Sequence, residues 1–425
     1  MTLTLKLLRK INFLLFLATR NLIWKIKFFY NIVFLKKNPI TILHVGQIHS
    51  PHFLLTYNNI VKDTFDEQFY VLNYLMCSYP VISTINVGIV YDLFNYRYKY
   101  RKTLDEWDFK LFNYAENVIE CVSKRIENII RTKSVNLIWI HDLQSGGYLF
   151  LDVMNILDNK IPVVATTYGN DLYFFKDIKS HNFKISQLLS RINLLHVETI
   201  RDINIATNEF NYHGLMAKNF SATGHVVNLD EYDDIYSGDK DIYLLIKGSY
   251  KYRSTLIDFF RLIESNYSFL LGKKIVIFGG SDEDFFSALK LKDKFKLDID
   301  CYRFINHSDV LALMERSKYH LSLTLSDGMA NTCKEAVIKG CIPIVTIHNG
   351  FSELISDDYK KFLIYESKDL YGLFPSLHEI DSSQVLGNLI LKSLVFNVNG
   401  YYSKIPVDAF KEQLRFLCFD DSRPT

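Results

Sequence analysis

With 425 residues the chain is too long for one small domain and fits two of roughly 200 residues each. Hydrophobic residues make up 48% and charged residues 23%, and the formal net charge is +2, which together exclude a disordered, highly charged chain. The six cysteines (Cys77, Cys121, Cys301, Cys333, Cys341 and Cys418) form no C-x-x-C pair and no zinc spacing with His. They are expected to behave as small apolar residues in a reducing cytosol, without a metal or a structural disulfide.

The first 37 residues carry Lys6, Arg9, Lys10, Arg20, Lys25, Lys27, Lys36 and Lys37, and no acid precedes Asp63. Apolar residues fill the gaps, and at helical pitch Arg9, Arg20 and Lys27 fall on one side while Leu8, Ile11, Leu15 and Leu22 fall broadly opposite. The pattern fits a helix lying on an anionic membrane surface, or one packed on the protein itself. It does not fit a spanning helix, because charges interrupt every run well short of ~20 apolar residues. Nucleic-acid binding has little support, since the basic residues are interleaved with long apolar runs.

From residue 40 onward, apolar runs alternate with helical stretches. Strands are expected at 40–46, 81–90, 135–140, 161–166 and 194–198, with one long helix over 107–132. Residues 228–241 are acidic, polar and rich in turn formers, and read as a linker. A second series follows, with strands expected at 242–246, 274–278, 298–302, 320–325 and 342–346, and the stretch 383–417 reads as helical. Continuous apolar strands separated by helices imply parallel sheets covered on both faces. The expected architecture is α/β: two Rossmann-like doubly wound domains facing a cleft. Its parts are an N-terminal basic segment (1–37), a first domain (38–228), a linker (229–241), a second domain (242–400) and a C-terminal helix and tail (401–425).

The most informative stretch runs from Leu321 to Val345 and reads strand, loop, helix, tight Gly turn, strand. The loop sits at the carboxyl end of a strand, where open α/β sheets bind ligands. Gly328 allows a close approach to the backbone, and the helix N-terminal amides that follow suit an anionic diphosphate. Asp327 lies in the loop and Glu335 two turns into the helix, so that both carboxylates are expected to point along one cleft.

This stretch resembles the signature of the family 4, or group 1, glycosyltransferases: two acids separated by seven residues, an Ala-Met-like pair, a Gly turn and Pro-Ile/Val-Val. Here it stands as Asp327, Glu335, Ala336-Val337, Gly340 and Pro343-Ile344-Val345. The resemblance implies a GT-B fold, a nucleotide-sugar donor and transfer with retained configuration to an acceptor hydroxyl. It implies that Glu335 binds the donor ribose. Asp327 and the backbone of Gly328, Met329, Ala330 and Asn331 would meet the transferred sugar and diphosphate. Asp in place of the first Glu means that the donor sugar is not inherited from relatives.

Further segments fit the resemblance. Lys247-Gly248 is similar to the Lys-Gly element beside the donor diphosphate, with Arg253 as a second cation. Phe304-Ile305 resembles the nucleobase-contacting segment. In the first half, Gly46 opens a loop carrying His49 and His52 as candidate ligands of phosphate or acceptor, and His141 ends a strand facing the expected cleft. Tyr168 to Phe175 looks like the Trp-Gly-Ser/Asn-Asp-Leu-Tyr segment of one branch, with Tyr168 where many members have a histidine nearby. Asp171 there either meets the acceptor or caps a helix. Arg201-Asp202 resembles an element of relatives without an assigned role.

Neither a metal nor a cofactor is expected, and Asp298-Ile299-Asp300 is read as a chance match to a metal signature. The basic N-terminus points to a cytoplasmic enzyme peripheral to the membrane, acting on a glycan or lipid-linked acceptor of surface-polysaccharide synthesis. A nucleotide-sugar epimerase of the same fold, or a non-catalytic nucleotide-sugar-binding subunit, stays open as an alternative.

Overall fold

The computed structural model describes residues 40–45, 67–73, 88–92, 127–128, 130–132, 135–148, 150–151, 161–218, 240–248, 256–366, 370–401 and 404–419. The basic segment 1–37, almost all of the expected linker, and Gly46, His49, His52 and Arg253 lie outside the described residues.

The first half builds a seven-stranded parallel sheet from β1 (Ile40–Val45), β2 (Glu67–Asn73), β3 (Gly88–Asp92), β4 (Leu137–His141), β5 (Val163–Thr166), β6 (Leu194–Val197) and β7 (Leu215–Lys218). The spatial order is β3-β2-β1-β4-β5-β6-β7, so the winding reverses between β1 and β4. Every residue of β4, β5 and β6 is buried, as a sheet covered on both faces requires. Helices α1 (Asn170–Tyr173), α2 (Lys179–Leu189) and α3 (Ile200–Asn208) follow β5 and β6.

The second half builds a six-stranded parallel sheet from β8 (Ile242–Lys247), β9 (Lys274–Phe278), β10 (Asp298–Tyr302), β11 (Ser317–Ser322), β12 (Ile342–Thr346) and the short β13 (Ile364–Tyr365). The order β10-β9-β8-β11-β12-β13 puts its reversal between β8 and β11. The helices are α4 (Leu256–Asn266), α5 (Asp282–Phe295), α6 (His307–Glu315), α7 (Asn331–Ile338), α8 (Asp357–Leu363), α9 (Leu373–Ser382) and α10 (Gln384–Tyr401). Helix α5 carries its own start and stop signals. Ser281 and Asp284 form a capping box, Asp282 and Glu283 sit in the first turn, Lys292 and Lys294 in the last, and Lys296 closes it at φ 54°.

The last helix, α11 (Lys404–Phe419), returns to the first sheet. Phe410, buried, packs its edge on Trp139 with ring centroids 5.6 Å apart and stacks on His196 at 4.8 Å. The chain therefore passes between its halves twice, once through the linker region and once after Tyr401. The linker's last residues are tied to the second half: Lys240 donates to the carbonyls of Glu315 and Lys339, and Asp241 pairs with Arg316.

Of the strand expected at 81–90, residues 88–90 are described and belong to β3, while 81–87 lie outside the described residues; β2 and β7 were not foreseen. The strand expected at 320–325 ends at Ser322, because beyond it the backbone leaves the ladder, and the Thr324 carbonyl accepts the Thr346 hydroxyl instead. Helix α6 begins at His307, with Asn306 at its N-cap position. Of the expected helix 107–132, residues 127–128 and 130–132 are described, and they are helical. No helix among the described residues is long and apolar enough to cross a membrane.

Candidate functional site

An open parallel sheet binds ligands beyond the carboxyl ends of its strands, where the winding reverses. In the second sheet that point lies between Lys247, the last residue of β8, and the loop leaving β11. The Lys-Gly and Gly-Gly turns meet there backbone to backbone: Gly248 N–H donates to the Phe278 carbonyl at 2.7 Å. A Cβ on Gly248 would stand 2.3 Å from the Gly280 Cα, so no side chain fits between the two turns.

Above this floor opens a cavity of about 710 Å³, within the range of small-molecule sites. Lys247 and Arg303 line it as cations, and Arg303 also pairs with Asp282. Thr324, Ser326 and Asp327 form the opposite wall, and Asn170 of the first half closes it. The Ser326 hydroxyl donates to the Asn170 side-chain carbonyl at 2.6 Å across the two halves. Thr324 is buried, and its hydroxyl oxygen makes no hydrogen bond among the described residues. Phe304, 90% exposed, stands on the rim and borders a second cavity of about 520 Å³ that also involves Tyr302, Ile305 and Leu313.

The two acids of the signature occupy different surroundings. Asp327 borders the larger cavity. Glu335 is not among the residues that line it; its carboxylate lies 2.9 Å from His307 Nε2, with 13% of the side chain exposed. Of the two carboxylates, only Asp327 lines this cavity among the described residues.

The backbone after Asp327 also differs from expectation. Met329 and Ala330 are buried in the core, and the Met329 amide donates to the carboxylate of Glu198 at 3.1 Å. Gly328 is pressed against the first half: a Cβ on Gly169 would lie 2.0 Å from its nitrogen. The amides expected to face a diphosphate at Gly328 and Met329 therefore face the other domain, because two glycines let the backbones touch. Asn331 opens α7, which has no side-chain cap.

Arg201 was noted in the sequence without a role, and the structure supplies one. Its guanidinium donates to the carbonyls of His348 (2.7 Å), Asp327 (2.9 Å) and Gly169 (3.3 Å), and lies 3.9 Å from the centre of the Tyr173 ring. Asp202, buried, holds its Nε. The Glu353 carboxylate of the second half caps the start of α3 by accepting the amides of Ile200 and Arg201, both at 2.9 Å.

At the first sheet's reversal, His44 and His141 end neighbouring strands. His141 is 3% exposed and lies within the core, which corrects the reading that it faces the cleft. Its Nε2 meets His44 Nδ1 at 2.9 Å and its Nδ1 meets the Tyr168 hydroxyl at 3.1 Å. Burial pushes His141 down to about 3 and His44 well below the ordinary histidine range, so both rings are neutral at physiological pH. Asp171 is also buried. It neither caps α1 nor reaches an open site, because its carboxylate turns back to accept the Tyr168 amide at 2.7 Å. Burial and the neighbouring Asp142 hold its carboxyl well above the usual range. Asp300 of the D-x-D match is held by Lys274 at 3.0 Å and Lys292 at 3.9 Å.

The reading of the sequence missed Glu198 and Lys334. Glu198 is an acid closing an apolar strand, and Lys334 is a cation on the side of α7 that also carries Cys333 and Val337. Both are misplaced by simple patterning, and that was the available signal. Lys334 is fully buried, and burial pulls it down to about 8 against the opposing effect of Glu198, Glu335 and Asp327. Burial pushes Glu198 up to about 7, opposed first by Lys334 and then by the Met329 amide.

No protein-family model matches the sequence, and none of the curated proteins matches it. Solved structures match over most of their length. A sucrose-phosphate synthase from Thermosynechococcus elongatus superposes with a TM-score of 0.65 at 10% identity, covering 88% of this chain and 98% of the other. An α,α-trehalose-phosphate synthase (UDP-forming) from Burkholderia vietnamiensis gives 0.63 at 11% identity, covering 89% and 100%. A glycosyltransferase from Rickettsia africae gives 0.61 at 13% identity, covering 91% and 100%. The fold is GT-B: two parallel-sheet α/β domains, each with its own reversal of winding.

Proposed function

We propose that the chain is a glycosyltransferase that moves a sugar from a nucleotide-sugar donor to an acceptor hydroxyl, with the donor held by the second domain. The observation that carries this reading is the cavity at the β8/β11 reversal, where Lys247, Arg303 and Asp327 converge over a floor of glycine turns and Asn170 closes the far wall. The named activities of the structural neighbours, a UDP-forming synthase among them, support the same donor class.

In this reading the diphosphate lies over Gly248 and Gly280, where Lys247 and Arg303 stabilise the charge that develops on the leaving group. Asp327 accepts hydrogen bonds from the sugar hydroxyls, Phe304 flanks the base, and Glu335 accepts from the ribose. The bond from the anomeric carbon to the diphosphate oxygen breaks, and the acceptor oxygen bonds to that carbon with retention. The acceptor's proton passes to the leaving phosphate oxygen. We place the acceptor on a lipid-linked or surface-polysaccharide intermediate, with the chain peripheral to an anionic membrane through residues 1–37.

The test is a panel of nucleotide sugars screened for thermal stabilisation of the purified chain. At least one should raise the melting temperature in the wild type, and Glu335→Ala should abolish that rise. A panel without any stabilising member, or a variant with undiminished donor affinity, would overturn the assignment.

A further inference from the structure

The loop bearing Asp327 is not supported by its own domain alone. We propose that Glu198 and Lys334 are positioning residues that make this loop a two-domain structure, so that the Gly328–Met329 turn beside Asp327 holds its place only while the two halves are in contact. The proposal rests on the donor assignment above for its meaning in catalysis, but its geometry does not depend on that assignment.

Glu198 follows β6 of the first domain, and its carboxylate sits on the Met329 amide at 3.1 Å. The same carboxylate would meet a Cβ on Gly328 at 2.5 Å, so glycine is what allows it to reach the turn. Lys334, three residues into α7, is fully buried, and its ammonium is enclosed by charge from Glu198 of one half and from Asp327 and Glu335 of the other. A fully buried ammonium is tolerated only with such partners.

The pair also stands where the chain crosses between domains. Lys334 lies 5.2 Å from the centre of the Tyr401 ring, and the Tyr401 hydroxyl donates to the Glu198 backbone carbonyl at 3.3 Å. Tyr401 is the last residue of α10, immediately before the return to the first sheet. Arg201 adds an independent tie by donating to the Asp327 carbonyl from the first domain. Separating the halves would remove the acceptor from Met329, the carboxylate from Lys334 and the guanidinium from Asp327 together. The turn after Asp327 would then be set by closure, while the Asp327 backbone itself stays bonded to His348 and Gly350 of its own domain.

The experiment is amide hydrogen exchange by mass spectrometry on the full chain, comparing wild type with Lys334→Met, Glu198→Gln and the double variant. Lys334→Met leaves the half-buried Glu198 carboxylate without its cation, so exchange over 326–334 and 168–171 should quicken on the order of a hundredfold, while strand 242–247 stays protected. Adding Glu198→Gln removes the stranded charge and keeps an oxygen for the Met329 amide, so the double variant should return toward wild type. Should Lys334→Met fail to fold, Glu198→Gln alone should quicken the same segments to a smaller degree. Unchanged exchange over 326–334, equal loosening of strand 242–247, or a double variant no better than the single would each overturn the proposal. If no nucleotide sugar binds, the functional reading fails while the exchange pattern still stands.

Discussion

The contact between Gly169 and Gly328 offers a sharp perturbation, because both costs of adding one methyl group can be separated. Gly169 has φ +83°, so alanine there carries the left-handed penalty of about 1–2 kcal/mol. Its Cβ would also lie 2.0 Å from the Gly328 nitrogen, where ordinary contact begins at 3.4 Å, so the two backbones must part by 3.4 − 2.0 = 1.4 Å. Gly272 supplies the control: φ is +72° and nothing lies within 4 Å of its added Cβ. Gly272→Ala should therefore lose only the backbone penalty, measured as a shift in the urea midpoint. Gly169→Ala should lose more stability than that and, in addition, most of its activity. A displacement of about 1 Å in a reacting assembly costs on the order of 100-fold in rate. The assay is nucleoside diphosphate release from whichever nucleotide sugar stabilises the wild type, beside urea unfolding of all three proteins. If Gly169→Ala turned over donor as fast as Gly272→Ala, the two halves would not need this contact for catalysis.

Three other perturbations follow from the same structure. Phe410 is buried between Trp139 and His196, so Phe410→Ala should cost about 3–5 kcal/mol in urea unfolding and release α11 to proteolysis ahead of the rest; an unchanged midpoint would show that the last helix is dispensable. Lys247→Ala should leave stability nearly unchanged while lowering donor turnover by about 100-fold or more, read in the same release assay. The third concerns pH. Burial raises Glu198 from 4.5 to about 7, so between those values the folded state binds more protons than the unfolded one. The contribution of this group to stability must then grow as pH falls through 7 and be complete below 4.5, at no more than about 1.4 kcal/mol per pH unit. Urea unfolding at stepped pH should show the wild type gaining on Glu198→Gln as the solution is acidified, and a gain in the opposite direction would refute the burial of an ionisable carboxyl at this interface.

The parallel sheets were legible because fully buried strands are continuous apolar runs, and β4, β5, β8, β9 and β12 announce themselves that way. β7, with Lys218 and no flanking apolar run, does not. The candidate site was legible in parts: Lys247, Phe304 and Asp327, singled out by the resemblance, come together at one cavity. What the sequence did not disclose was the other domain's share. Asn170, Glu198 and Arg201 reach the loop from far along the chain, and their roles exist only once two separately wound sheets are brought face to face. The same limit misplaced His141 and Asp171. Position at a strand end is readable from periodicity, but whether such a side chain turns outward or inward depends on neighbours such as His44 and Tyr168, which no local pattern specifies.

That inward turn bears on the chemistry. A general base must be within reach of the proton it takes, and its acceptor nitrogen must be open to it. His141 has both ring nitrogens engaged, one by Tyr168 and one by His44, and its burial places it behind the first domain's surface. Asp171 is held on the Tyr168 amide and is kept toward its protonated form by burial. Among the described residues of the first domain, the group of this cluster that is partly open to solvent is Tyr168, whose hydroxyl is aligned by His141. A phenol in that position can orient an acceptor hydroxyl but is a poor proton sink at neutral pH, since its ordinary pKa is about 10. This arrangement is consistent with the proposed step in which the acceptor's proton leaves with the departing diphosphate. Tyr168→Phe should then raise the acceptor KM while leaving the pH dependence of kcat in place; loss of the rise of kcat with pH would instead make the tyrosine the base.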